Sequence, residues 1–590
     1  MKLKAAFLIV FVSVVVYSNS LGGEFVYDDD YFVTKNVSIR DIKSAFSFFS
    51  DSGAVAFSEL ARDVYRPFTA FSYSINYFFS RLDVFYYHLT SVLLHSLCAA
   101  LLFLFLYAVF GDLFVAVTAS LLFACHPVQT EAVSWISGRS SVLSLFFYLI
   151  AFMSYVFYRK TSARRYLACS VVSYAVSVFS KEMAISLPLL LIVYDLHFSR
   201  GERLSKRALR YLPYILITAG FIIMRSIVIK RVSQCDWWGG SPYHNALSMM
   251  PVIGEYAKIL IYPKNLCAFY VNKVYMSIAH TEVLISAGGL ILMAIAMPFV
   301  FKRSRAVSFW ISWFFITLLP VSNIVPIRAL MAERFLYMPS IGYCVVLAIL
   351  IRQLLRDRRL AIFVAGIIVL AYSMRTMARN EDWKDAITIS RSIVRVSPVN
   401  PWAYASLGSA YAGKHRFEEA IKELKKSIAL SVNYPAPKAI LGFCYLEMGR
   451  YQDAVQMLLE AQKHEPDNVE TMNSLGVSLA NLKRYDEALR QFERAKKKDP
   501  KFITAYVNMG TTYEFMEEYK NALRQYNEAL TKTGSKGDIA LVYIRIGDLY
   551  VKTRQMDIAN SYYRKAIETC DRTLGDLKKI AEERLHANWK

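Results

Sequence analysis

Residues 473–500 read NSLGVSLANLKRYDEALRQFERAKKKDP, and this stretch decides half of the fold. Gly476 stands 34 residues after Gly442 and 34 before Gly510, and Gly408 and Gly547 extend the series at intervals of 34 and 37. Twelve positions after each glycine comes an alanine: Ala420, Ala454, Ala488, Ala522 and Ala559. Nine positions after most of them comes an aromatic: Phe417, Tyr451, Tyr485 and Tyr519. Pro466 and Pro500 close two of the units. Small residues recurring in step mark where two helices of a hairpin approach closely, and the aromatics fill the space between hairpins. The period and register predict an α-solenoid of tetratricopeptide repeats, five clear units with a partial one ahead of them.

Outward from the repeats the composition changes. The 590 residues are 55% hydrophobic with a mean hydropathy of +0.30, yet 20% are charged, so charge must be segregated along the chain. Eleven apolar runs lie near 5–20, 86–110, 113–126, 141–158, 166–180, 184–198, 211–229, 282–301, 306–326, 336–351 and 360–377. The third and sixth have soft boundaries, being shorter than the roughly 20 residues of a spanning helix. The net charge of +22 does not signal a nucleic-acid surface, because Lys and Arg cluster beside these runs (Arg159, Lys160, Arg164 and Arg165; Lys302, Arg303 and Arg305; Arg352, Arg356, Arg358 and Arg359). Such loops face the cytoplasm. An odd number of crossings then puts the repeats outside, in a bacterial periplasm or the endoplasmic reticulum lumen. The first run has the look of a signal peptide behind Lys2 and Lys4, and is expected to stay as a helix. The all-α chain thus divides into a polytopic membrane bundle (1–377), repeats (378–570) and a capping helix (571–590).

Eight cysteines show no metal-ligand spacing; Cys235 and Cys267 share one outer loop and could pair. His88 and His95 lie seven apart on one helix face, a packing pattern rather than a metal site. The outer loops, 22–85 and 230–281, carry apolar helical stretches (Phe46–Phe49, Met249–Ile261) suited to the bilayer interface.

Charge also appears where topology does not ask for it. The first outer loop begins Phe25-Val26-Tyr27-Asp28-Asp29-Asp30, and Arg66 follows in Tyr65-Arg66-Pro67-Phe68. Later outer turns hold His126 with Glu131, Gly138-Arg139, Lys181-Glu182 and Glu333-Arg334. Three adjacent carboxylates repel one another, so at least one pKa should rise unless a cation stands near. Cations that each travel with an acid on the same face suggest a charged pocket at the membrane surface. One carboxylate to take a proton from a hydroxyl, and cations to hold a departing phosphate, would suffice for single displacement of a sugar from a lipid phosphate. A pair of carboxylates, as in glycosidases, is not required.

In these residues the chain resembles the transmembrane and tetratricopeptide-repeat-containing O-mannosyltransferases, GT-C glycosyltransferases, in a bacterial-type form. Phe25–Asp30 with Asn36, Tyr65–Phe68, His88, His95, His126, Glu131, Arg139, Lys181-Glu182, Glu333–Pro339, Asn380 and Trp383 carry the likeness. The resemblance implies that the Asp28-Asp29 pair is the catalytic motif, with one member as base. It implies a polyprenyl-phosphate-linked mannose or other hexose as donor. Arg66, His126, Glu131, Arg139, Lys181, Glu182, Glu333 and Arg334 are then candidates for holding it, and a protein hydroxyl is the acceptor. The aspartate triplet could hold a divalent cation or none. Asn473 and Asn508, on first helices of their repeats, could bind an acceptor peptide backbone. Trp383, Ala386 and Pro398 occupy repeat positions one period before Gly408. An oligosaccharide polymerase or ligase, and a non-enzymatic membrane scaffold, are the competing readings.

Overall fold

The computed structural model describes residues 2–56, 63–198, 204–230, 233, 235–431, 434–532, 535–570 and 574–587. The described residues are helical and contain no strand. They form two compact units, Met1–Ser397 and Pro398–Lys590, so residues 378–397 pack with the membrane helices.

In the first unit, every apolar run has become a helix. These are α1 (Lys2–Tyr17), α3 (Val84–Phe110), α4 (Leu113–Cys125), α5 (Arg139–Thr161), α6 (Arg164–Ser180), α7 (Leu187–Phe198), α8 (Leu204–Ile229), α10 (Thr281–Arg303), α11 (Arg305–Leu318), α12 (Ser340–Leu354) and α13 (Arg358–Asn380). Two amphipathic helices lie in the long loops, α2 (Pro67–Ser80) and α9 (Pro242–Ile261). Among the described residues six helices are long and apolar enough to cross a bilayer, or seven if α4 with the turn after it, bent by 50°, counts as one span. The reason the others fall short is visible at their ends. Residues 126–138, after α4, form polar turns that are buried throughout. Irregular backbone at such depth is tolerated only inside protein or along a cavity, where its polar groups find partners. Short helices here deliver charged turns into the interior. The core around them is aromatic, with Trp310 and Trp313 almost fully buried and the Trp313 indole donating to Met338 O at 3.0 Å.

Cys235 and Cys267 are both free thiols; the Cys267 Sγ donates to Phe269 O. His88 and His95 are buried, and His95 sits between Tyr337 Oη (2.7 Å) and Ala124 O (3.1 Å). After α13, a 3₁₀ turn (Glu381–Trp383) leads to α14 (Ala386–Val396), whose start is closed by a capping box between Asp385 and Thr388.

The second unit is five helical hairpins: α15 (Pro401–Gly413) with α16 (Phe417–Leu430), α17 (Ala436–Glu447) with α18 (Tyr451–His464), and α19 (Val469–Asn481) with α20 (Tyr485–Lys498). Then follow α21 (Ile503–Phe515) with α22 (Tyr519–Leu530), and α23 (Lys536–Lys552) with α24 (Met556–Thr569). A last helix, α25 (Gly575–Ala587), packs its Ala581 into the end of the array; 571–573 and 588–590 of the expected cap lie outside the described residues. The five period alanines are fully buried. A Cβ at Gly476 would stand 2.6 Å from Phe492 Cε1, which is why the hairpin closes only on glycine there. Gly476→Val is accordingly expected to destabilise the array by about 1–3 kcal/mol or more, through overpacking. It would be read as lost hydrogen-exchange protection in α19 and α20 of the full chain. Unchanged protection would refute the close-packing account.

Candidate active site

The three adjacent aspartates meet three different environments. Asp29 is fully buried; its Oδ2 accepts from Val26 N at 3.0 Å, and its Oδ1 accepts both the amide (2.8 Å) and the hydroxyl of Ser137. Burial lifts its pKa to about 7, although those hydrogen bonds pull the other way. Asp30 is outside, paired with Lys35 at 3.1 Å and bonded by Thr34 Oγ1. Asp28 is reached by solvent, and among the described residues its carboxylate has no hydrogen bond or ion pair. The surrounding protein raises its pKa by burial, and Arg334, Arg66 and Arg328 pull it back down. Tyr27, just before it, has φ +51°, a conformation costly for a bulky side chain. The turn is tied down by the Trp135 indole, which donates to Val26 O at 3.3 Å.

The facing cations are held by acids. Arg66 makes a two-pronged pair with Glu182 (Nε–Oε2 3.1 Å, Nη2–Oε1 2.6 Å) and reaches Ser140 Oγ. Burial works against the Glu182 carboxylate, but Arg66 outweighs it and holds its pKa at about 2. Glu131, buried, accepts from the Arg334 guanidinium and from Arg334 N at 2.7 Å, and the guanidinium lies 5.5 Å over the Trp135 ring. Arg66 and Arg334 keep about a quarter of their side chains exposed (21% and 26%), enough to meet a ligand. Lys181 is buried within electrostatic reach of both, its Nζ 2.6 Å from Ser141 Oγ. Burial lowers the Lys181 pKa to about 7, with Arg66 and Arg334 adding to the fall and Glu182 and Glu131 opposing it.

Next to this cluster opens a cavity of about 420 Å³. Asp63, Arg66, Glu182 and Arg225 line its polar part, and Leu189, Phe221, Ile222 and Leu319 are among the apolar side chains along the rest. Arg328 pairs with Asp63 at 2.9 Å. Asp63, Arg225 and Arg328 went unnoticed in the sequence. Arg225 did carry a signal, as a lone cation inside the apolar run of α8.

Three other candidates face elsewhere. Arg139 is fully buried; it donates to Asn76 Oδ1, Tyr87 O and Ser91 Oγ, with Tyr73 stacked 4.8 Å away. It pins α2 and α3 to α5, near Asp29 but closed to a ligand. His126 caps its own turn, accepting from Val128 N and meeting Leu260 O at 2.9 Å. Glu333 is buried, with Oε1 accepting from Cys267 N, Tyr270 Oη (3.0 Å) and Arg379 Nη2 (3.3 Å), and Oε2 unpartnered. Among the described residues no three His, Cys, Asp or Glu side chains could together hold a metal ion. In the second unit, Asn508 Nδ2 donates to Asn473 Oδ1 at 2.9 Å, joining the first helices of adjacent repeats.

A helical membrane unit with a charged recess, followed by a repeat array, defines the class of this protein as a multi-pass tetratricopeptide-repeat membrane protein. The tetratricopeptide repeat family matches 445–501, and again 403–433, 503–531 and 540–571. The chain is similar to the TMTC protein O-mannosyl-transferases. It is 26% identical to human protein O-mannosyl-transferase TMTC3 over 466 residues, covering 71% of this chain and 50% of that protein. Against protein O-mannosyl-transferase F38B6.6 of Caenorhabditis elegans it is 25% identical over 441 residues, 72% of this chain and 63% of the other. The Drosophila melanogaster Tmtc3 is 26% identical, with 72% and 55% covered. The chain thus spans about half to three-fifths of the length of these relatives. Among solved structures, MamA is 23% identical (27% of this chain, 92% of that one, TM-score 0.24). YrrB, described as a TPR protein with an unusual peptide-binding site, is 19% identical (34% and 98%, TM-score 0.26).

Proposed function

We propose that this protein is a membrane glycosyltransferase that moves mannose or another hexose from a polyprenyl phosphate to a hydroxyl of a protein, on the outer or lumenal side. The observation that carries the reading is Asp28, a carboxylate with no ion-pair partner among the described residues, within electrostatic reach of Arg66, Arg328 and Arg334; Arg66 also lines a cavity that is polar in one part and apolar in the rest. The relatives' names, protein O-mannosyl-transferases, support the coarser part of this reading, sugar transfer to a protein.

The chemistry assigns each group a task. Asp28 accepts the proton of the acceptor O–H as its oxygen attacks the anomeric carbon. The bond from that carbon to the phosphate oxygen breaks, and the electron pair leaves with the lipid phosphate. Attack opposite the leaving group inverts the anomeric centre. Lys181, Arg66 and Arg334 hold the phosphate as its charge grows, and the apolar part of the cavity takes the first isoprene units. Arg66, Lys181, Arg328 and Arg334 supply the positive charge that a lipid phosphate needs, the arginines within electrostatic reach of Asp28. A scaffold would give the unpaired Asp28 no task. In the repeats, the Asn473–Asn508 bond leaves one amide N–H₂ and one carbonyl oxygen to pair with an extended acceptor backbone.

The test is reconstitution of the full chain in vesicles with polyprenyl-phosphate mannose and a Ser/Thr peptide, read by mass spectrometry. Transfer from the monophosphate is expected; transfer from a diphosphate donor alone would favour the ligase. The pH dependence has a definite sign. Lys181 is charged below about pH 7 and loses its proton above it, so the donor KM should climb with pH beyond that point, approaching about tenfold per unit. Lys181→Met should raise KM at pH 6 and flatten the dependence. A donor KM indifferent to pH in the wild type would remove Lys181 from the phosphate site.

A further inference from the structure

One stretch of chain, 379–390, touches both sides of the recess. On the cation side, Arg379 Nη2 donates to Glu333, the neighbour of Arg334, and Ser134 Oγ donates to Asn380 Oδ1 at 2.9 Å. Trp383 stacks on Trp135, centroids 5.8 Å apart and planes 20° apart, and Trp135 in turn lies against the Arg334 guanidinium. On the acid side, Glu24 N donates to Lys384 O at 2.7 Å, and Tyr27 Oη lies 3.3 Å from Ser390 Oγ. Val26, Trp135, Trp383 and Ile389 form one small apolar cluster, with Tyr27 packed on it.

The placement has a physical purpose. Tyr27 is held at φ +51°, and a non-glycine residue keeps that conformation only where its surroundings over-determine it. Arg334 lies on a one-turn helix, Glu333–Leu336, too short to orient a side chain by itself. Each turn borrows its rigidity from the same neighbour. By sequence that neighbour sits at repeat positions; by contact it belongs to the membrane unit.

We propose that residues 379–390 are a positioning strap for the transfer reaction. Trp383 and Arg379 set the Arg334 turn, Lys384 and Ser390 set the Asp28 turn, and one piece of chain thereby fixes the separation of base and cation. The proposal rests on the glycosyltransferase reading above. Strap residues are positioning groups and touch no reacting atom.

The experiment uses the full chain in vesicles with polyprenyl-phosphate mannose, comparing wild type, Trp383→Ala, Trp383→Phe and Ser390→Ala. Rates are taken per folded molecule, with the pH profile of kcat/KM. Asp28 faces Arg334, Arg66 and Arg328, which favour its charged form, and Asp63, which disfavours it. Displacing Arg334 removes one of the three favourable charges, so the acid limb of the Trp383→Ala profile should move to higher pH. Its kcat should fall by about 10–10². Trp383→Phe, which keeps a stacking ring, should restore both, and Ser390→Ala should show a smaller fall in kcat in a well-folded protein. A strap that only stabilised the fold would lower yield and melting temperature and leave rate and limb per folded molecule unchanged. That result overturns the proposal while leaving the function intact. Should Trp383→Ala fail to fold, an unchanged Ser390→Ala would overturn it equally. A wild type that transfers no sugar sinks the function and the strap together.

Discussion

Asp28→Asn is expected to lower sugar transfer by about 10²–10⁴, the contribution of a positioned general base, with little change in melting temperature or donor KM. The neighbouring Asp29→Asn should behave in the opposite way. Asp29 accepts three hydrogen bonds, two of them on Oδ1 and one on Oδ2. An asparagine can keep the pair on one oxygen, but its N–H₂ then meets the Val26 N–H, donor against donor. Losing that bond in a buried site costs about 1–3 kcal/mol. Asp29→Asn should therefore reduce the folded fraction more than the rate per folded molecule. The pH behaviour separates the two again. Because the folded pKa of Asp29 is raised from 3.8 to about 7, its contribution to stability is present at low pH and is lost as pH rises through that interval. Asp29→Asn should flatten that decline, whereas Asp28→Asn should remove the acid limb of the rate profile. Full activity in folded Asp28→Asn, with loss in folded Asp29→Asn, would reverse the assignment.

The second large effect belongs to Arg379→Met. Arg379 and Glu333 are both completely buried, and Asp382 completes the cluster at 2.9 Å from Arg379 Nη1. Removing the cation strands a carboxylate in the interior, a change that typically costs about 3–5 kcal/mol. Burial already holds Glu333 above the usual carboxyl range against the pull of Arg379, so the variant can shed part of the cost by protonating it. The destabilisation should be larger at pH 8 than at pH 6, measured as thermal unfolding in detergent. Arg379→Met with Glu333→Gln should recover much of the loss, because both charges are then gone. A single variant as stable as the wild type at pH 8 would show that water, rather than Arg379, satisfies Glu333.

The parts of this protein that sequence made legible are those governed by period and by exclusion from lipid. Gly408 to Gly547 and their alanines repeat because each hairpin closes on the same small contact, and the apolar runs became helices because a bilayer admits little else. Charges on outer turns could be flagged as unusual, and Arg66, Glu131, Lys181, Glu182 and Arg334 do converge. Their roles could not be told apart. Arg139 looks like Arg334 in sequence, each beside a turn, yet one spends its donors inside the fold and the other keeps about a quarter of its side chain exposed. His126 resembles a ligand residue and serves as a turn cap. The aspartate triplet is uniform as written; the left-handed turn at Tyr27, which no glycine announces, sends its members in three directions. Asp63, Arg225 and Arg328 lie far apart along the chain, and only tertiary packing brings them to the cavity.

The seam between the two compact units, after Ser397, has an evolutionary corollary. Hairpins that all close on one interchangeable glycine–alanine joint can be duplicated or lost as whole modules, whereas the segment just before them packs within the membrane unit against Trp135. Under the proposed function, lengthening or shortening the array from Pro398 onward would retune which acceptors are captured while leaving the charged recess as it is.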